Sequence, residues 1–223
     1  VIDMDDWHGI NRFLGCYFGL ESHSKPGKPE CSYKVLRHKM REYLLDCVAV
    51  YERLPGATPL EKVTTPFIDN PSVSDDEEGE LAEAAMSLVM RVLYAARLAR
   101  PDLIKAVQAL SQRFASWSAL QDIKLARLMS YLKWNSDFVL TSFYGDNDKP
   151  EDLKLQLFCD ADLGGCPTTA RSTSGGSLVL SGPNTCVPIS WCSKRQTAVS
   201  DSPSESEIVA MDFGVRQELI PII

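Results

Sequence analysis

The sequence predicts an α+β protein in which a largely helical region leads into three strands closed by a helix. Three observations predict it. Residues 153–160, "LKLQLFCD", alternate with the period of a strand. Apolar residues between about 81 and 134 recur at helical spacing. Ser202, Pro203 and Glu205 read as a helix start, with an N-cap, a first-turn proline and a capping-box partner three residues beyond the cap.

Taken in order, "INRFLGCYFGLES" at 10–22 reads as one strand with an apolar run. Residues 31–53 place Val35, Met40, Leu44, Cys47, Val48 and Tyr51 near helical spacing and predict a helix. Leu54 to Glu80 holds four prolines and the acidic run "SDDEEGE" and predicts a linker. Helices follow over 81–99, from Pro101, and over 119–134. After residue 150, "LKLQLFCD", "GGSLVLSG" and "CVPISWCSKRQ" read as consecutive antiparallel strands separated by Gly, Pro and Asn turns. The expected divisions are 1–53, the linker 54–80, a helical 81–150 and the β-β-β-α unit 151–223.

Composition narrows the function. The net charge of −7 argues against a freestanding nucleic-acid binder, which is usually basic. The balance reverses locally: Arg91, Arg97, Arg100, Lys105, Arg113, Lys124, Arg127 and Lys133 face only Asp102 and Asp122. Such a stretch either guides a phosphate backbone or is a solvated helix face. Seven cysteines without a CxxC pair indicate neither a zinc knuckle nor a disulfide framework. They suit an intracellular protein, cytoplasmic or nuclear and not secreted. His8, His23 and His38 lack ligand spacing. No apolar stretch reaches the ~18 residues of a membrane span. The first residues carry no signal sequence and no initiator Met, which predicts a piece of something longer.

The chemistry concentrates in the last third. Asp160 closes the first predicted strand, and Asp162 falls on the same face if the strand persists. Glu205 and Glu207 lie in the first turn of the closing helix. The capping box occupies Glu205 and leaves Glu207 available. Carboxylates at a strand end and a helix start are either turn and helix-terminus residues or ligands of hard divalent cations. Two such cations ~3.5–4 Å apart activate water and stabilise the leaving oxygen in phosphodiester hydrolysis. The β-β-β-α order resembles the first half of the ribonuclease H fold, which uses carboxylates in these two places.

The words "CDADLGG", "RSTSGGSLVLSG", "ISWCSKRQ" and "SPSESEIVAM" resemble, in this order, the ribonuclease H region of copia-type retrotransposon polyproteins. Upstream, "ARPDLIKAVQALSQRFASWSALQDIKLARLMSYLK" is similar to the segment joining reverse transcriptase to ribonuclease H. "INRFLGCYFG" is similar to the F-L-G word beyond the polymerase palm. The resemblance covers nearly the whole chain. It makes Asp160 and Glu207 the catalytic, metal-binding carboxylates and Asp162 a second aspartate less clearly tied to metal. The candidate nucleic-acid contacts are Arg171, Lys194 and Arg195. The implied cofactor is Mg²⁺; the implied partners are an RNA–DNA hybrid and a DNA or RNA template. Leu163 departs from the family's usual Trp, and Asp122 stands where the family often has His. "DMDD" at 3–6 resembles a palm aspartate pair but lies too near Phe13, and is read as a surface acidic turn.

The resemblance therefore implies the end of a reverse transcriptase, its connection, and a truncated ribonuclease H-like unit. The family's third and fourth carboxylates lie beyond the helix that starts at Ser202, so the chain as given is expected to be catalytically incomplete and to bind Mg²⁺ weakly. An unpaired sheet edge and exposed Ile208, Val215 and Leu219 are expected with it, and with them low stability or self-association through that edge. Three readings stay open: part of an active polyprotein, a decayed remnant, or a domesticated fragment that binds nucleic acid or protein without catalysis.

Overall fold

A computed structural model describes residues 12–25, 28–68, 77–166 and 169–223. The acidic word at 3–6 and His8 lie outside them. The protein is mixed α and β, and its chain forms two compact units. The first comprises the described residues through Gly19 and Arg37–Leu140. The second comprises Leu20–Leu36 and Thr141–Ile223.

The first unit opens on β1 (Arg12–Phe13) and β2 (Cys16–Lys25), which pair antiparallel. The single strand expected over 10–22 is thus broken at Leu14 and Gly15, whose φ angles are 47° and 82°. The left-handed backbone suits glycine, and a Cβ on Gly15 would also meet the Tyr43 ring at 3.0 Å. The Leu14 carbonyl accepts the Tyr94 hydroxyl at 2.8 Å. The F-L-G word is therefore a tight turn seated on two tyrosines.

The helix expected over 31–53 begins only at Arg41. Residues Lys28–Lys39 form β3, and α1 is Arg41–Glu52. In α1 the helical spacing holds, and Leu44, Cys47, Val48 and Tyr51 are buried. Upstream of it, sheet pairing overrides the apparent period. β3 lies between β2 and β4 (Leu140–Gly145), where the ring of Tyr33 stacks on His23 and meets Phe143. β4 also corrects the helical assignment of 81–150, because the last helix stops at Asn135.

Helices α2 (Ala82–Leu98), α3 (Ile104–Ser111) and α4 (Ala119–Asn135) join α1 around one core. Leu88, Val92, Leu103, Leu125, Leu128 and Leu132 lie at its centre. The segment 54–80 is not a detached linker in its described parts: Leu54, Leu60, Val63 and Phe67 pack on this core, and Glu78 bridges Ser118. Burial pushes the thiols of Cys16 and Cys47 up to about 11.

Asp122 explains itself here. Its carboxylate accepts the backbone N–H groups of Glu80 (2.7 Å) and Leu81 (3.3 Å) and the indole N–H of Trp117 (2.6 Å). It thereby caps the entry to α2, whose first amides have no intrahelical partner. Asp122→Ala should cost about 2–3 kcal/mol, since it strands three donors at once. Chemical denaturation would measure this; a loss below ~0.5 kcal/mol would show the cap to be dispensable.

The sheet of the second unit runs in the order β2-β3-β4-β7-β6-β5. β5 is Lys154–Asp162, β6 Thr173–Ser181 and β7 Cys186–Arg195. β5 pairs antiparallel with β6, and β6 with β7, the latter with a bulge at Leu178/Val179. Helix α5 (Pro203–Gly214) follows and continues as a π turn through Leu219. The Ser202 hydroxyl accepts the Glu205 N–H at 3.2 Å, and Glu205 reaches back to the Asp201 N–H at 2.8 Å. Gln196 fastens the helix start to the sheet, donating to Ser174 Oγ (3.1 Å) and to the Ser206 carbonyl (2.9 Å). Among the described residues of this unit only Val35, Leu178 and Ala210 are fully buried apolar groups, beside buried Ser142, Ser172, Ser174, Gln196 and Ser206.

Candidate active site

α5 lies on the face of β5 that carries Leu157 and Cys159. The contact requires glycine at 214: a Cβ there would fall 2.5 Å from Cys159 Sγ and 3.3 Å from Leu157 Cδ2. Along the outer side of this contact runs an apolar groove of about 530 Å³. Leu157 and Cys159 line it from the strand; Glu207, Ile208, Met211, Val215 and Leu219 line it from α5 and its continuation. Ile208 is exposed as expected, whereas Val215 and Leu219 are half-buried. Burial raises the Cys159 thiol, and the negative charge of Glu207 raises it further. Cys192 is driven up to about 12, by burial first and then by Glu218.

Asp160 lies near the end of β5, exposed, opposite Gly175. Strand alternation turns it away from Cys159, to the face shared with Phe158 and Asp162. It is not among the residues lining the groove that contains Glu207. Asp162 is a structural turn residue: it accepts the Thr173 N–H, and Gly165 leaves the room its carboxylate takes. The structure therefore separates the three acids by surroundings. Asp160 stands on an open face, Asp162 is engaged at the turn, and Glu207 borders an apolar groove beside a thiol.

Mg²⁺ takes hard oxygen donors in near-octahedral array. Asp160 and Glu207 offer such oxygens, but among the described residues no group of three or more His, Cys, Asp or Glu side chains converges on one point.

The basic candidates also part company. Lys194 turns to the α5 face, where its ammonium lies 5.1 Å from the Phe213 ring centre. Arg195 pairs in register with Thr173, itself opposite Asp162, and so belongs to the Asp160 face. Its guanidinium donates to Cys166 Sγ at 3.2 Å. Arg171 is exposed in the approach to β6. On the Asp160 face Gly175 carries no side chain and leaves open space beside the strand.

The basic stretch of the helical unit is largely used internally. Arg91 pairs with Asp46 (2.6 Å), Lys133 with Glu52 (2.7 Å) and Arg100 with Asp102 (2.7 Å). Lys105 and Lys124 stand over the Phe67 ring. These pairings favour the helix-face alternative over a phosphate track. Among the described residues, no helix is long and apolar enough to cross a membrane. The described cysteines Cys16, Cys47, Cys159, Cys166, Cys186 and Cys192 are free thiols.

No family model matches the chain. No solved structure matches it either. Among curated proteins, an uncharacterized mitochondrial protein of Arabidopsis thaliana is 32% identical over 174 residues, 78% of this chain and 65% of that protein. A protein named secreted RxLR effector protein 161, from Plasmopara viticola, is 37% identical over 139 residues, 59% of this chain and 87% of its own length. The retrovirus-related Pol polyprotein from transposon RE2 of Arabidopsis thaliana is 30% identical over 201 residues. That match takes in 87% of this chain but 12% of the polyprotein. The chain thus spans just under two thirds of the mitochondrial protein and a small part of the polyprotein. The order of matching words and these relationships agree: the relatives of this chain include retrotransposon Pol polyproteins, and it is similar to a fragment of one, consistent with the copia type.

Proposed function

We propose that the chain derives from the part of such a polyprotein that links reverse transcriptase to ribonuclease H, and that β5, β6, β7 and α5 are the opening unit of a ribonuclease H-like domain. The observation that carries this reading is the placement of Asp160 near the end of β5 and of Glu207 as the fifth residue of α5. These are the two places where the resemblance expects metal-binding carboxylates. In the parent protein they act together with further carboxylates, and the metal supplies Lewis-acid and water-activating chemistry. The substrate class is the RNA strand of an RNA–DNA hybrid, cut by hydrolysis. Gly175 keeps the strand beside Asp160 open to a nucleic-acid backbone, and Arg195 on the same face supplies a positive charge.

The test is cleavage of a labelled RNA–DNA hybrid in the presence of Mg²⁺. The chain alone should leave the hybrid intact. The chain joined to the segment that follows the matched region in the RE2 polyprotein should cut the RNA strand. Asp160→Asn in that longer protein should abolish cleavage with an unchanged circular dichroism spectrum. Cleavage persisting in Asp160→Asn would make Asp160 a turn residue and overturn the reading.

A further inference from the structure

The helical unit holds a cavity of about 310 Å³ between the turn that leads into α3 and the segment Phe138–Leu140 that leads into β4. Its wall is largely apolar, with Pro101, Phe138 and Val139 among the lining residues, and includes two charged side chains, Arg100 and Asp102. The buried Arg100 guanidinium spends Nε and Nη2 on the Asp102 carboxylate, at 2.9 and 2.7 Å. Its Nη1 is buried too and has no hydrogen-bond partner among the described residues. Native interiors leave few donors in this condition, because each has lost its bond to water without a replacement. Asp102 and Phe138 line the same cavity, and the Phe138 ring centre is 5.4 Å from the guanidinium carbon, which brings the guanidinium to the cavity wall.

The wall says what kind of acceptor belongs there. Arg100 and Asp102 already balance each other's charge, and Asp102 faces the cavity as well. A carboxylate or phosphate brought to Nη1 would stand close to a like charge. An uncharged carbonyl oxygen takes the same hydrogen bond without that repulsion. The rest of the wall asks for a flat apolar body, since Phe138 is 54% exposed and Pro101 and Val139 lie beside it. A volume at the lower end of the usual ligand range, about 300–1,000 Å³, fits a single ring with one substituent. An exposed ring such as Phe138 turns readily, and its turning admits an acceptor to the covered Nη1. We infer that this cavity binds a small uncharged aromatic amide, its carbonyl accepting from Arg100 Nη1 and its ring packed on Phe138. The site lies wholly in the helical unit, goes beyond the proposed hydrolytic ancestry and does not rest on it.

Titration of the 223-residue chain with benzamide, followed by amide NMR shifts, tests it. Benzamide should shift the amides of residues 99–102 and 138–140 with a Kd of about 0.1–5 mM, the range open to a ligand of this size. Benzoate, which adds a charge, and fluorobenzene, which lacks the carbonyl, should each bind at least about tenfold more weakly. Val139→Trp, which fills the cavity from a partly exposed position, should abolish the shifts while circular dichroism shows the fold intact. Arg100→Met with Asp102→Leu removes the donor and its counter-charge together, so the fold is kept. In that double variant benzamide should lose its advantage over fluorobenzene. No shift with benzamide up to about 20 mM would leave water as the acceptor and overturn the site. Equal binding of benzoate or of fluorobenzene, or shifts that persist in Val139→Trp, would each overturn it as well.

Discussion

Replacing Asp102 with alanine should cost the helical unit about 3 kcal/mol, the low end of the cost of breaking a buried ion pair, because Arg100 is buried while the Asp102 side chain is partly exposed. Arg100 is 1% exposed. Its Nε and Nη2 donate to the two carboxylate oxygens of Asp102 at 2.9 and 2.7 Å. The Tyr131 hydroxyl adds a third bond to the same carboxylate at 3.0 Å. The guanidinium also lies 5.4 Å from the Phe138 ring centre and 5.9 Å from that of Tyr131. Its Nη1 has no hydrogen-bond partner among the described residues, so Asp102 provides the compensating charge. Without it the side chain must either stay buried and unpaired or break out through packed rings. Replacing both residues by apolar ones, Arg100→Met with Asp102→Leu, should recover most of the loss, because no charge then remains inside. Equal stabilities of Asp102→Ala and the unaltered chain, measured by urea unfolding, would show that Arg100 escapes to water.

Leu178→Ala should unfold the strand-rich unit while leaving the helical one standing. Leu178 is fully buried and sits in the middle of β6, flanked by β5 and β7. A buried Leu→Ala change costs about 2–5 kcal/mol. The helical core spreads such a loss over many buried neighbours, but the strand-rich unit has few fully buried apolar residues to share it. Even without the substitution, urea should produce two transitions. Trp191 fluorescence, reporting β7 once the other three tryptophans are replaced by phenylalanine, should change before the helical circular dichroism signal. Coincident transitions by the two probes would show the thin core to be as stable as the thick one.

Much of this was legible in the sequence, and the failures have physical causes. The alternation in "LKLQLFCD" and the Ser202–Pro203 start located β5 and α5, because strand period and cap chemistry are local. Pro101 and the apolar stripes located α2 to α4 for the same reason. β3 was misread because Val35, Met40 and Leu44 fit a helical period by coincidence, while only the neighbouring strands decide otherwise. Tyr33 and Val35, an aromatic and a β-branched residue two apart, were the available signal. Local pattern placed Asp160 near the end of β5 and Glu207 early in α5, and the engagement of Asp162 at the turn suits its strand-end position. The opposite orientations of Lys194 and Arg195 follow from period two alone once β7 is known to run through both. Arg100 could not have been sorted from its basic neighbours. Its burial depends on Phe138 and Tyr131, which arrive from well downstream.

The place of β3 in the sheet sets a schedule for the nascent chain. The Leu20–Leu36 segment is made early, but β4, its neighbour on the far side from β2, follows only after four helices. The backbone bond from Asp146 N–H to the Ser32 carbonyl, at 3.1 Å, and the ion pair of Lys34 with Asp146, at 3.9 Å, both close this long loop. Contacts so distant in sequence form late, after the entropy of loop closure has been met. Through that interval β3 presents an open hydrogen-bonding edge to whatever else is being folded nearby. The helical unit can collapse first from local contacts, and by doing so it shortens the effective distance between Leu36 and Thr141. The joining of β3 to β4 is therefore expected among the late steps of folding.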